Sequence, residues 1–359
     1  MTRTMQYIAF YSVFFTLLWA MHLYVGLRLG RLYGCQNTWA LISAFTLAAL
    51  SFPAFSLLEK FNPTTFSMVL YGAASVWLGM VFLLLSILLV YEVLRLFMPL
   101  QSKTAAYGIT GIAAALSIYG VVNALFLTVK TVDIPMPGLQ KPIKIVQLSD
   151  IHVGTIHNSG FLTRIVDKTN ALAPDLVLIT GDLFDGIGPV TRHTVQPLAK
   201  IKTKTYFVIG NHERYDDMGK IQSILPDTGV EILRNRIVNF RDVQIVGVDA
   251  ASRDGEKGNP VVGTLPIDRT RPSILMFHVP VGIEDAAKAG IKLQLSGHTH
   301  NGQLFPFTLF AKMLYGHVQG LYTINGMRLY VSPGTGTWGP PMRIGSSNEI
   351  TLINLLPEH

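Results

Sequence analysis

Five short apolar runs in the second half of this 359-residue chain each end in residues that bind metals or move protons. Ile143–Leu148 runs into Ser149-Asp150-Ile151-His152, and Leu176–Ile179 into Thr180-Gly181-Asp182-Leu183-Phe184-Asp185. Tyr206–Ile209 is followed by Gly210-Asn211-His212-Glu213, Ile274–Phe277 by His278, and Leu293–Leu295 by Ser296-Gly297-His298-Thr299-His300. Taken singly, a strand-terminal Asp or His is more often a turn or cap residue than a ligand. Together they make a set of imidazoles, carboxylates and one amide oxygen without a thiolate, the mixed ligand field used for manganese, iron or zinc. Two such ions about 3.5–4 Å apart lower the pKa of a shared water and clamp a phosphoryl group during in-line attack. The only cysteine, Cys35, excludes an intrachain disulfide and a Cys-based zinc cluster.

The elements that must position these residues follow from the same pattern. The β-branched runs read as buried strands, joined by Gln244–Val248 and Leu329–Val331, and amphipathic stretches near 160–172, 191–201, 216–225 and 281–289 read as helices between them. Such alternation predicts an α/β domain, whose chemistry belongs at the carboxyl ends of its strands. Gly181, Gly210 and Gly297 let the backbone turn sharply beside the candidate ligands.

Before residue 131 the composition is different. That part has seven Lys or Arg and two acids, against 22 and 20 in the remainder, so most of the formal +7 charge lies among apolar residues. Apolar runs at about 5–27, 39–58, 66–97 and 105–128 are each near or above the roughly 20 residues that cross a bilayer core as a helix. The expected organisation is a transmembrane four-helix region over 1–130 and a catalytic domain over 131–359, in a multi-pass protein of the cell (inner) membrane. Arg28, Arg31, Arg95 and Lys103 on one face nearly balance Arg3, Lys60 and Lys130 on the other, so the charges favour neither side for the domain. The near-neutral second part has no Lys/Arg block, which speaks against nucleic acid as a partner.

The ordered motifs resemble the signature of the calcineurin-like metallophosphoesterase superfamily: Asp-x-His, Gly-Asp-x-x-Asp, Gly-Asn-His-Glu, a lone His and Gly-His-x-His. The run Gly297–Gln303 and the tail from Gly334 to Arg343 are similar to a bacterial membrane-anchored subgroup with Gly-His-Thr-His-x-Gly-Gln. This resemblance implies a four-layer αββα sandwich, two mixed sheets flanked by helices, and two divalent ions (manganese, iron or zinc). It implies that Asp150, His152 and His300 hold one ion, that Asn211, His278 and His298 hold the other, and that Asp182 bridges them. His212 matches the superfamily's catalytic histidine; Asp185 would orient its ring or is a plain loop acid; Asn211 would contact substrate, and Arg343 would do so with Trp338 at the entrance, unless that tail serves structural packing. Asp185 is followed by Gly186-Ile187 rather than Arg-Gly, which disfavours a phosphoprotein substrate.

The activity so implied is hydrolysis of a phosphodiester or pyrophosphate in a phosphorylated small molecule, lipid-linked and presented at the bilayer, with UDP-diacylglucosamine as one candidate. The alternative is a transporter or sensor whose metal domain is regulatory. Glu213 reads either as a residue that supports the ligands from behind or as an acid in the first turn of a helix near Arg214, and His22 as a hydrogen-bonded residue inside the helical region. Glu92 and Arg95 stand at pairing distance along the third run. His157, His193, His317 and His359 fall outside the motifs and read as ordinary surface or loop residues.

Overall fold

The computed structural model describes residues 3–98, 101–250 and 261–358, so His359 lies outside the described residues. The chain divides into two compact units, Met1–Val122 with Gly339–Met342, and Asn123–Trp338 with Arg343–His359.

The first unit is built on α1 (Arg3–Tyr33), α2 (Thr38–Phe61), α3 (Thr65–Leu94) and α4 (Ser102–Ala124), all long and apolar enough to cross a membrane. Short polar side chains start two of them. Asn37 accepts from the Ala40 amide at the head of α2, and Thr64 and Ser67 form a reciprocal capping box at the head of α3. Val25, Leu29, Val81, Leu84, Leu88 and Ile109 pack inside, while Trp39, Leu47, Phe61 and Phe66 are each at least 70% exposed. An apolar outer surface of this kind suits a lipid solvent, where helices satisfy their own backbone groups. The few polar side chains find partners within the unit. His22 Nδ1 lies 2.8 Å from the Leu18 carbonyl and its Nε2 accepts from Trp77 Nε1 at 3.1 Å, while Glu92 pairs with Arg28 and, at 2.9 Å, with Arg95.

The fourth apolar run ends as helix at Ala124 rather than near residue 128. From Leu127 the backbone is claimed by a sheet, pairing in parallel with the C-terminal strand. The second unit has strands β1 (Leu127–Met136), β2 (Ile143–Leu148), β3 (Leu176–Ile179), β4 (Lys204–Phe207), β5 (Val230–Ile232) and β6 (Arg236–Phe240). It continues with β7 (Val243–Val248), β8 (Ser273–Phe277), β9 (Leu293–Ser296), β10 (Gly320–Ile324), β11 (Met327–Val331) and β12 (Asn348–Pro357). Its helices are α5 (Ser159–Ala171), α6 (Arg192–Val195), α7 (Met218–Ile224), α8 (Ile283–Ala289) and α9 (Phe307–Tyr315).

These strands form two six-stranded mixed sheets, ordered β1-β12-β2-β3-β4-β5 and β10-β11-β9-β8-β7-β6. The two-residue period of a strand sorts the side chains into layers. Ile143 and Ile145 of β2 pack toward the second sheet with Ile274, Met276, Leu293 and Leu295, whereas Val146 and Leu148 pack with Leu162, Ile165 and Val166 of α5. Across the second sheet, Val246, Val248, Leu275 and Phe277 join Ala286 of α8. The result is the four-layer αββα sandwich. In both sheets the parallel central strands β2–β3–β4 and β7–β8–β9 send their carboxyl ends into the loops that carry the motifs.

Candidate metal centre

Several motif residues leave their strands in left-handed backbone. Asp150, His152, Asp182, His298 and His300 have φ of 51°, 52°, 50°, 68° and 49°. Asp and His enter this region more readily than most residues, at a cost of about 1 kcal/mol or more each, and they stay there only where the surroundings fix them. Hydrogen bonds between the loops do this here. The Asp150 and His152 amides donate to the carbonyls of Gly181 and Asp182, both at 3.1 Å, and the His298 amide donates to the Asp150 carboxylate at 3.0 Å. Gly181 has φ 95°, and a β-carbon there would lie 2.6 Å from His278 Nδ1, so glycine is what lets the β3 loop pass this ligand.

The loops converge on two clusters. His152 Nε2 lies 3.0 Å from His300 Nε2, which is 3.4 Å from Asp150 Oδ1. In the other, Asn211 Oδ1 is 3.1 Å from His278 Nε2 and 2.9 Å from His298 Nδ1, and His278 Nε2 is 3.1 Å from Asp182 Oδ2. Asp182 also lies 3.9 Å from His152 Nε2, which places it between the clusters. All seven candidate ligands are therefore gathered at one place. The His278 Nδ1 faces the Thr180 carbonyl at 2.9 Å, and since a carbonyl only accepts, Nδ1 carries the proton and Nε2 turns to the cluster.

The donor set fits divalent ions on its own chemistry. Two imidazole nitrogen pairs, at 3.0 and 3.3 Å, face each other beside two buried carboxylates, and His152 Nδ1 is buried without a partner among the described residues. Burial holds His152 and His300 well below the ordinary histidine range and His298 at about 3, which keeps them neutral and ready to ligate. Burial also works against charge on His278, yet Asp182 and Asp150 outweigh it and raise that imidazole to about 10. The field at this point selects a cation.

His212 stands over the clusters, its Nε2 4.0 Å from Asp182 Oδ2 and its ring edge-on to His152 and Trp338 with centroids 4.7 and 5.7 Å apart. Its amide donates to Asp182 Oδ1 at 2.9 Å. Two expectations need correction. The His212 ring is held by the backbone carbonyl of Asp185, 2.8 Å from Nδ1, while the Asp185 carboxylate accepts from the amides of Ile187, Gly188 and Thr155. Arg343 does not line an entrance. It is fully buried, donating to Asn348 Oδ1 and to the carbonyls of His300, Pro333 and Gly336, and burial lowers its pKa to about 9, with Asp150 and Glu349 opposing. A guanidinium so engaged has no free fork for substrate.

Other residues build the site around the candidate ligands. Glu213 stands in the first turn of a short 3-10 helix, His212–Tyr215, and also supports the ligands from behind: its buried carboxylate accepts from the amides of Asp182, Phe184 and Gly210 and so ties two motif loops together. Burial and the Asp182 charge push it up to about 8. His157 is buried rather than surface-lying, with Nε2 accepting from the Thr337 amide at 2.9 Å. The Gln303 side-chain amide braces Trp338, its Nε2 donating to the Trp338 carbonyl at 3.0 Å and its Oε1 accepting from the Trp338 amide at 2.9 Å. Tyr315, from α9, places its hydroxyl 2.9 Å from His298 Nε2. The Gly-His-Thr-His-x-Gly-Gln run was the one signal pointing to Gln303; nothing marked Tyr315.

The calcineurin-like phosphoesterase family profile matches residues 143–302. An uncharacterised metallophosphoesterase of Campylobacter jejuni is 35% identical over 247 residues, covering 66% of this chain and 66% of that protein. A transmembrane protein with metallophosphoesterase domain from Danio rerio is 38% identical over 267 residues, 68% of this chain and 61% of the relative. An uncharacterised metallophosphoesterase of Aquifex aeolicus is 30% identical over 258 residues, 68% of this chain and 97% of the relative. This chain thus spans just under two thirds of the length of the first two and nearly all of the third.

Proposed function

This chain belongs to the calcineurin-like metallophosphoesterase family, and on that premise we propose that it is a membrane-anchored phosphohydrolase cleaving a phosphodiester or pyrophosphate bond in a lipid-linked or envelope substrate. The observation that carries this reading is the pair of nitrogen–oxygen clusters meeting at Asp182, with His212 Nε2 4.0 Å from that carboxylate. In it, Asp150, His152 and His300 hold one divalent ion, Asn211, His278 and His298 the other, and Asp182 serves both. Two such ions, when bound, supply the charge that acidifies water and stabilises phosphoryl oxygens.

The chain's own residues do the rest. With Nδ1 fixed on the Asp185 carbonyl, His212 presents Nε2 to the reacting phosphate and gives a proton to the leaving oxygen. Asn211 turns its oxygen to the cluster, which leaves its amide N–H groups to bind a phosphoryl oxygen. Trp338, about half exposed and edge-on to His212, forms one wall of the opening. The complete ligand set favours an enzyme over a transporter or sensor with a regulatory metal domain, and the Gly297–Gln303 run together with the apolar helices favours the bacterial membrane-anchored subgroup.

The test is hydrolysis of bis-p-nitrophenyl phosphate, p-nitrophenyl phosphate and a UDP-linked lipid by the full chain with manganese added. The diester or the pyrophosphate should be preferred. His212→Ala should cost about 10²–10⁴-fold in kcat with metal content intact, while Asp182→Ala should lose both activity and metal. Activity that survives Asp182→Ala would falsify the reading.

A further inference from the structure

Helix α9 is amphipathic in the opposite sense from a surface helix in water. Its inner side is formed by the buried Ala311 and by Tyr315, which reaches His298. Its outer arc carries Phe307, Leu309, Phe310, Met313 and Leu314, exposed at 47, 61, 53, 75 and 70%, and Phe305 just ahead of it is exposed as well. At 100° per residue these five positions share one side of the helix, with Lys312 at the margin. So continuous an apolar face is beyond the scattered exposure of an ordinary surface and marks a binding surface.

Three observations identify what covers it. The chain leaves α4 at Ala124 and enters β1 at Leu127, and the two residues between, Leu125 and Phe126, are themselves exposed and apolar; a connection of that length spans roughly 10 Å at most. The sequence between Asp285 and Glu349 contains no acidic residue, whereas Lys288, Lys292 and Lys312 lie within it, a charge balance complementary to anionic headgroups; its two arginines, Arg328 paired with Glu358 and the buried Arg343, are engaged within the unit. Phe, Leu and Met on one face of a helix with a lysine beside them is the composition that sinks about 5–10 Å into the boundary between headgroups and acyl chains.

We propose that α9, with Phe305, is a bilayer-docking helix that seats the mouth of the metal centre on an anionic lipid surface. Through Tyr315 the same helix touches a candidate metal ligand, so the docked face and the reacting phosphate lie within one short element of each other. Selection of substrates whose phosphate sits at headgroup depth rests on the phosphohydrolase reading; the docking does not.

The experiment uses the full chain in lipid nanodiscs containing phosphatidylglycerol, in a Cys35→Ser background, with an environment-sensitive fluorophore on Phe310→Cys, Leu314→Cys or, as a control on exposed α7, Ser223→Cys. Probes at 310 and 314 should emit to the blue, be quenched by doxyl-labelled acyl chains and resist iodide; the probe at 223 should do the reverse. Iodide access at 310 and 314 equal to that at 223 overturns the proposal. Protection from iodide without quenching by the lipid also overturns it, because a second copy or another protein then covers the face. As a second measurement, Phe310→Glu with Leu314→Glu should lower hydrolysis of phosphatidyl-p-nitrophenol in the discs by about tenfold or more and leave bis-p-nitrophenyl phosphate hydrolysis unchanged. Equal loss on both substrates, or loss on neither, removes the docking role. Absence of all hydrolysis by the unaltered chain sinks the phosphohydrolase reading instead, and the quenching result still decides the docking.

Discussion

The two units of this chain treat polar groups in contrasting ways. In the helical unit polar side chains are sparse, and His22 and Glu92 have two partners apiece: His22 Trp77 and the Leu18 carbonyl, Glu92 Arg28 and Arg95. In the α/β unit they are crowded at strand ends and share partners. Asp182 meets His152, His278 and the His212 amide, and Glu213 gathers three amides from two loops. Isolated pairs can be removed one at a time at modest cost, whereas in a connected buried network each group holds others in place, so deletions propagate. The difference is therefore testable by how far the effect of one substitution spreads.

The largest effect is expected at Arg343, which joins the β9 loop to the tail through His300, Pro333 and Gly336 carbonyls. Lysine offers three donors from a single point and cannot reproduce a planar fork. Arg343→Lys should leave buried carbonyls unpaired and destabilise the metal-loaded protein by about 3 kcal/mol, read as a fall in Tm in a thermal melt. KM for bis-p-nitrophenyl phosphate in the folded fraction should hold. A raised KM with an unchanged Tm would restore Arg343 to the substrate and undo the network assignment.

A smaller effect is expected at Asp185. If its carboxylate oriented His212, Asp185→Asn would cost catalysis as heavily as a wrong tautomer does. Because the backbone carbonyl holds the ring, and asparagine keeps an oxygen for the Ile187 and Gly188 amides, kcat should fall only about two- to fivefold. A loss near that of His212→Ala would show that the carboxylate is the orienting group.

This pair of residues also shows what could be read without coordinates. The candidate ligands were legible because metal chemistry needs particular side chains at strand ends, and strand ends announce themselves by a change from Val, Ile and Leu to Gly, Asp and His. The central strands β2, β3, β8 and β9 were legible for the same reason. The edge strands β1, β5, β6 and β10 were not, nor was β12 between β1 and β2: β1 starts inside the tail of the fourth apolar run, at Leu127 and Thr128, and β10 alternates half-buried and exposed positions that resemble a loop. Roles carried by the backbone leave no mark in residue type, which is why the Asp185 carbonyl was overlooked. Arg343 was open between substrate and packing because arginine suits both phosphate and buried carbonyls, and only its burial tells the two apart. Glu213 was legible as a supporting acid from its place in Gly-Asn-His-Glu, whereas Tyr315 and His157 meet their partners 17 and 180 residues away, where spacing carries no signal.

The smallest effect is expected in the helical unit, where the contrast is sharpest. Trp77→Phe keeps an aromatic ring in the packed interior and removes only the N–H that meets His22 Nε2 at 3.1 Å. Hydrogen bonds between helices in an apolar solvent contribute on average about 0.6 kcal/mol, since the alternative states also find partners. The His22 ring remains tied to the Leu18 carbonyl through Nδ1, so one acceptor is vacated and nothing else moves with it. Unfolding of the full chain in mild detergent, titrated with sodium dodecyl sulfate, should therefore shift by less than about 1 kcal/mol, and hydrolysis of bis-p-nitrophenyl phosphate should be unaltered. A shift of 2 kcal/mol or more, which is about the size expected for a connected network, would mean that the bundle holds its polar groups as the catalytic unit does, and a concurrent change in hydrolysis would mean that His22 and Trp77 act on the site as well as on the bundle.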